Sequence, residues 1–170
     1  MTQTGKPVRE SRVEMVQIIR PEDANPLGIA FGGKVVEWMD MAGAISAVRH
    51  ARKPCVTASI DNLAFLSPIN IGQFVIIRAA VNYTGWTSME VGVWIESEDP
   101  LSGQRRLTTH GYLTFVALDE LGHPSAIPPV IPETDEEKER YEEARLRREA
   151  KLKRREETEG TDPSSSLKTP

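Results

Sequence analysis

The chain has 170 residues, with 21 Lys plus Arg against 25 Asp plus Glu, three His and a single Cys, which suits one domain of ordinary size with spare segments. A formal net charge of -4 gives no bulk attraction to phosphate and argues against nucleic-acid binding by net charge. Cys55 standing alone excludes an intramolecular disulfide framework and a thiolate zinc cluster, and no stretch approaches the ~18 apolar residues of a membrane helix. The N-terminus lacks the apolar run of a signal peptide, so the expectation is a cytoplasmic protein with neither a membrane nor a nucleic-acid partner.

Residues 12 to 20, RVEMVQIIR, are rich in β-branched side chains and read as a first strand. PEDANPLGIAFGG follows, a stretch of turn chemistry with two prolines, three glycines and the Asx residues Asp23 and Asn25. From Lys34 to about His50 the chain is apolar on nearly every side and contains no breaker except Gly43. That pattern predicts a core helix wrapped by something else. Strand character then returns at 55–65, 74–83, 88–97 and 105–119, in a row with short turns, which predicts an antiparallel meander. One all-round apolar helix among strands implies an α+β arrangement, a curved antiparallel sheet wrapped around one long central helix. Such a layer leaves sheet edges bare, so a dimer or larger is expected.

Beyond residue 132 the composition changes. Residues 133 to 157 carry 10 acids and 9 bases, the acids mostly first and the bases mostly last, the order a helix dipole favours. Glu136 with Arg140, Glu143 with Arg147 and Glu149 with Lys153 have i,i+4 spacing, each pair worth about 0.3 kcal/mol. The apolar residues there form no continuous stripe, which predicts a solvated charged helical extension with little core to join. Its basic end could alternatively dock on an acidic partner. Residues 158–170 read as a disordered tail. The resulting division is 1–132 for the folded domain, 133–157 for the extension and 158–170 for the tail.

Asp40 is the ionisable residue that fits its surroundings worst, because Val36, Gly43, Ala44 and Ala47 share its helix face and nothing basic lies within one turn. A carboxylate placed among apolar groups is costly unless hydrogen-bonded, a common condition of a general base; the alternative is that Asp40 bonds a neighbouring backbone group in a dimer. Glu37, one turn earlier, suits the positive end of the helix dipole. Gly28, Gly32 and Gly33 precede the helix, where free N–H groups can receive an oxyanion or merely begin a helix. Asn25 either holds a carbonyl or a water through its amide or makes an Asx turn. Trp86, in a polar turn, either stacks on a base or packs on a neighbouring subunit. His50, His110 and His123 fall on a helix end, a strand and a turn, which is no ligand set, and the absence of GxSxG disfavours a serine nucleophile. No metal is expected.

Asp23-Ala24-Asn25, Phe31-Gly32-Gly33, Met39-Asp40 and Ala42-Gly43-Ala44 together resemble, in order and spacing, the signature of hotdog-fold acyl-CoA thioesterases of the cytosolic acyl-CoA hydrolase type. The resemblance continues through 63–73, 84–94 and 114–128 and so covers about residues 10 to 130. It implies a hotdog fold and hydrolysis of acyl-CoA to free acid and coenzyme A, with coenzyme A part of the substrate and no separate cofactor. Asp40 takes the role of general base on water, and Asn25 assists from the opposing subunit at a dimer seam. Gly32 and Gly33 are candidate oxyanion donors, Trp86, Thr87 and Ser88 candidate coenzyme A contacts, and relatives suggest a trimer of dimers. Asp23-Ala24-Asn25-Pro26-Leu27 also resembles the D-x-N-P-L-H motif of MaoC-like enoyl-CoA hydratases, but Gly28 stands where their histidine belongs, which removes half of the acid/base pair. A non-catalytic acyl-CoA-binding hotdog protein is the remaining alternative.

Overall fold

Along the predicted central helix, Val35, Trp38, Met39, Ala42, Gly43, Ser46, Ala47, His50 and Ala51 are buried, a recurrence close to 3.6 residues that puts one continuous stripe against a sheet. In the computed structural model, which describes residues 4–159, this is α1, Gly32–Ala51. Arg52 ends it in the left-handed region at φ 53°, returning its N–H to the Val48 carbonyl.

The elements in chain order are β1 (Lys6–Pro7), a 3-10 turn (Val8–Glu10), β2 (Val13–Ile18), a second 3-10 turn (Pro21–Asp23), α1, β3 (Cys55–Phe65), β4 (Phe74–Thr84), β5 (Ser88–Glu98), β6 (Arg105–Ala117), β7 (Val130–Ile131) and α2 (Asp135–Glu159). Five strands make one antiparallel sheet in the order β2-β4-β5-β6-β3. Alternation along β5 and β6 sends Met89, Val91, Val93, Ile95, Leu113 and Phe115 inward, and α1 lies on that inner face. Gly43 permits the approach: a Cβ there would stand 2.9 Å from Phe115 Cε2. This is the expected hotdog architecture, a long helix held by a curved antiparallel sheet.

Two features differ from the sequence expectation. The strands do not form a meander from the start, because β3 pairs with β6 at the far edge rather than with β4. Residues 66–73 carry the chain back across the sheet end. At one end Leu66 N–H donates to the Thr108 carbonyl, and at the other Gly72 N–H donates to the Ile19 carbonyl. An extended run of that length reaches about 26 Å, ample for the roughly 14 Å of three strand spacings. Strand pattern alone carries no information about which neighbour a strand selects.

The second difference is α2, which docks on the outer face of the sheet although it lacks an apolar stripe. Ala144 is fully buried and the Tyr141 ring lies 5.1 Å from that of Tyr83. The rest of the contact is cationic. Arg140 sits over Trp94 at 5.4 Å and Arg147 over Tyr112 at 3.7 Å, while Arg147 also donates twice to Glu90, at 2.9 and 3.1 Å. Planar guanidinium groups against aromatic faces take the place of a hydrophobic stripe. At the helix start the Glu137 carboxylate accepts from the N–H groups of Glu133 and Thr134 and from Arg12, closing a capping box with Thr134. Within α2, Glu136 bonds Arg140 and Glu143 pairs with Arg147, whereas Glu149 pairs with Arg145. The helix continues to Glu159, into the segment read as tail; residues 160–170 lie outside the described residues.

Candidate active site

Asp40 stands near the middle of α1, half-buried rather than enclosed. Its Oδ1 accepts a 2.5 Å hydrogen bond from Thr57 Oγ1 on β3, which leaves Oδ2 for a water. In the sequence Thr57 is one threonine among several and carries no signal of its own. The signal is only geometric. Thr57 pairs with Phe115, the inward residue that touches Gly43 one turn beyond Asp40, so register puts its hydroxyl on the helix side.

Around Asp40 the surface is apolar and unpartnered. Met41, Ile45 and Val48 on α1 and Ile60 on β3 are exposed, and β3 is a sheet edge along its 11 residues. An open edge of that length with apolar flanks is a template for pairing. The Asp40 carboxylate therefore sits in a place that a second chain can close.

The N-terminus of α1 supplies the other group. Lys34 and Val35 direct their N–H groups back to the Phe31 carbonyl, and those of Gly32 and Gly33 are left as the unpaired donors of the first turn. Gly33 is exposed, beside the exposed ring of Phe31. The preceding loop is held by Asp23, almost fully buried, whose Oδ2 accepts from the Arg20 N–H at 3.1 Å and whose carbonyl accepts from the Phe31 N–H at 2.9 Å. Asn25 does make an Asx turn: its Oδ1 accepts from Leu27 N–H at 2.9 Å and Ile29 N–H at 3.4 Å. Those bonds fix the amide so that its NH₂ group is the end left over. Lys34 holds Glu37 at 3.1 Å, which accounts for that acid.

Gly33 and Asp40 are seven residues apart on one helix, about 10 Å along its axis. One carbonyl carbon cannot approach both groups of a single chain. Trp86 and Thr87 lie in the β4–β5 turn and Ser88 begins β5, two strands from β3, and they are not brought to Asp40 within the chain. Trp86 is 77% exposed, while Ser88 faces outward and accepts from Arg148 at 3.0 Å. Gly28 has φ +74°, a backbone that a histidine adopts only with strain. A cavity of about 910 Å³ opens elsewhere, between α2 and the outer sheet face, lined among others by Tyr83, Ser88, Thr114, Arg148 and Lys151. None of Asn25, Gly33 and Asp40 reaches it, which is understandable if the face beside Asp40 becomes a cleft only when covered.

The description "thioesterase superfamily" matches residues 27–104. The protein YkhA of Bacillus subtilis, described as an uncharacterised acyl-CoA thioester hydrolase, is 42% identical over 129 residues, 76% of this chain and 75% of that one. The chain belongs to the thioesterase superfamily. Mammalian relatives are longer: this thioesterase spans 41% of the mouse cytosolic acyl coenzyme A thioester hydrolase, at 33% identity over 156 residues. Among solved structures, an apo-hexameric acyl-CoA thioesterase superposes with TM-score 0.86 at 44% identity, covering 89% of this chain and 97% of the other. A Staphylococcus aureus acyl-CoA hydrolase in complex with butyryl coenzyme A and coenzyme A gives 0.85 at 39% identity, covering 91% and 94%. That hydrolase has also been solved with an asparagine, an aspartate and a threonine each replaced by alanine. The three positions are spaced 15 and 17 residues apart, the same intervals as Asn25, Asp40 and Thr57 here.

Proposed function

We propose that this thioesterase hydrolyses acyl-CoA to a carboxylic acid and coenzyme A in a site shared by two copies of the chain. Asp40 takes a proton from a water whose oxygen attacks the thioester carbonyl carbon. Thr57 holds Oδ1, so Oδ2 is aimed at that water and the carboxylate keeps one orientation through the step. The N–H groups of Gly32 and Gly33 from the opposing copy receive the developing oxyanion, with the positive end of the helix dipole behind them. The free amide of Asn25 from that copy orients the carbonyl or the water. Collapse of the tetrahedral intermediate breaks the C–S bond, and the departing sulfur takes the proton gained by Asp40. Trp86, Thr87 and Ser88 are proposed contacts for the coenzyme A portion. Six copies, as in the hexameric neighbour, are the proposed assembly.

The observation that carries this reading is the 2.5 Å Thr57–Asp40 bond on a face bordered by an edge strand. The test is thiol release from acyl-CoA substrates between acetyl and palmitoyl, followed with a thiol reagent. Burial pushes the Cys55 thiol up to about 11, so at pH 8 about one molecule in a thousand carries a thiolate and the protein adds little background. Asp40→Asn is expected to lower kcat by about 10² or more with the assembly unchanged. Full activity in that variant removes Asp40 from the mechanism. Tight acyl-CoA binding with no thiol release from any substrate selects the binding-protein alternative instead.

A further inference from the structure

The strand that carries Thr57 is bonded from the other side of the sheet, at Ser59 and Asp61. Thr57 and Ser59 are two apart in β3, so a regular strand turns both toward the same face. Here they point to opposite faces, because a bulge intervenes: Thr57 pairs with Phe115 and Ser59 with Thr114, leaving Ala58 as the extra residue. The bulge sends Thr57 inward to Asp40 at 2.5 Å and Ser59 outward. A second irregularity follows between Asp61 and Ala64, where Asn62 takes φ 51°. A bare edge strand with two closely spaced irregularities has few ladder bonds to fix its shape.

Lys151 of α2 reaches this part of the strand. Its ammonium donates to Ser59 Oγ at 2.5 Å and to Asp61 Oδ2 at 2.8 Å, and Ser59 Oγ donates to the same Asp61 oxygen at 2.9 Å. Three groups thus close a triangle on the outer face, immediately beyond the bulge that aims Thr57. Lys151 is placed there by the docked part of α2, where Arg147 bonds Glu90 and lies over Tyr112, and Tyr112 pairs with Asp61 across β6 and β3.

We infer that Lys151 is a positioning residue for the hydrolytic reaction: by clamping Ser59 and Asp61 it locks the β3 bulge in the form that directs Thr57 onto Asp40. The inference rests on the Asp40 reading above and extends it to the C-terminal helix, which becomes part of the catalytic apparatus without touching substrate. Because the link runs through Thr57, its signature is non-additivity.

The test uses the full chain and four forms: wild type, Lys151→Ala, Thr57→Ala and the double variant. Lys151→Ala is expected to lower kcat about tenfold with KM for acyl-CoA within about twofold, and to lower it no further when Thr57 is already alanine. Lys151→Arg, which keeps the positive charge and can reach the same two oxygens, is expected to recover most of the loss. Amide hydrogen exchange supplies a second readout that needs no turnover: exchange between residues 56 and 62 is expected to quicken in Lys151→Ala while α1 is unchanged. An equal loss of kcat in both backgrounds, or unaltered exchange in 56–62, overturns the inference. Absence of thiol release from the wild type instead sinks the hydrolytic reading, and the exchange experiment still decides whether Lys151 pins the strand.

Discussion

The proposed role of Asp40 as a base needs one of its oxygens held in a fixed direction, and Thr57 bonds Oδ1. Thr57→Val keeps the strand shape and removes the donor, so kcat is expected to fall about tenfold with KM little changed, since one positioning hydrogen bond is lost and no binding group is removed. Steady-state thiol release checks this, and a change confined to KM counts against the positioning role. Gly43, one turn beyond, acts through packing rather than chemistry. An added Cβ would meet Phe115 at 2.9 and 3.0 Å where both residues are buried, so Gly43→Ala is expected to cost about 1–3 kcal/mol by overpacking. A denaturant midpoint unchanged from wild type argues against that close fit.

At the level of elements, α2 shows how a helix with almost no apolar face can still be docked. Its anchor at the start is Glu137, whose carboxyl burial alone would raise; the N–H groups of Glu133 and Thr134 and the charge of Arg12 outweigh that and hold it below the usual carboxylate range. A depressed carboxyl contributes stability that is complete above its unfolded value, about 4.3, and is lost as pH falls through the lower folded value. Docking of α2 is therefore expected to be constant near neutrality and to loosen only in acid. Limited proteolysis between residues 133 and 159 across that range measures it, and Glu137→Gln should abolish the pH dependence while weakening docking at neutral pH. Arg147 and Glu90 are shielded at 23% and 14% side-chain exposure, so added salt should undock the helix far less than for an exposed pair. On the Lys151 inference, truncation after Pro132 is expected to lower thiol release through loss of the Lys151 contacts to β3.

For the molecule as a whole, the inner face of the sheet is satisfied by α1 and part of its outer face by α2, while β3 and the stripe Met41, Ile45 and Val48 are left bare. The ~10 Å that separates Gly33 from Asp40 along one helix adds a chemical reason for a second copy to the hydrophobic one. Ile45→Glu puts a charge into the proposed seam. Sedimentation is expected to show smaller assemblies, with thiol release lost in proportion to the dimer, because burying an unpaired charge opposes association. A monomeric variant with full turnover would separate the chemistry from the seam.

Much of this was readable from residue order. The apolar run from Lys34 to His50, the four later strands and the turn chemistry around Asn25 each carry their own local signal, because helix and strand periods and glycine or Asx turns are properties of neighbouring residues. The candidates Asp40, Asn25, Gly32 and Gly33 were visible for the same reason: a lone acid among small apolar residues and paired glycines at a helix start stand out locally. Contacts between distant parts of the chain were not visible. That β3 pairs with β6, that Thr57 meets Asp40, and that Lys151 reaches Ser59 and Asp61 across 90 and more positions depend on strand order, on a one-residue bulge and on cations packed against aromatic rings. None of these leaves a periodic trace, because each is decided by which surfaces remain to be covered once the local elements have formed.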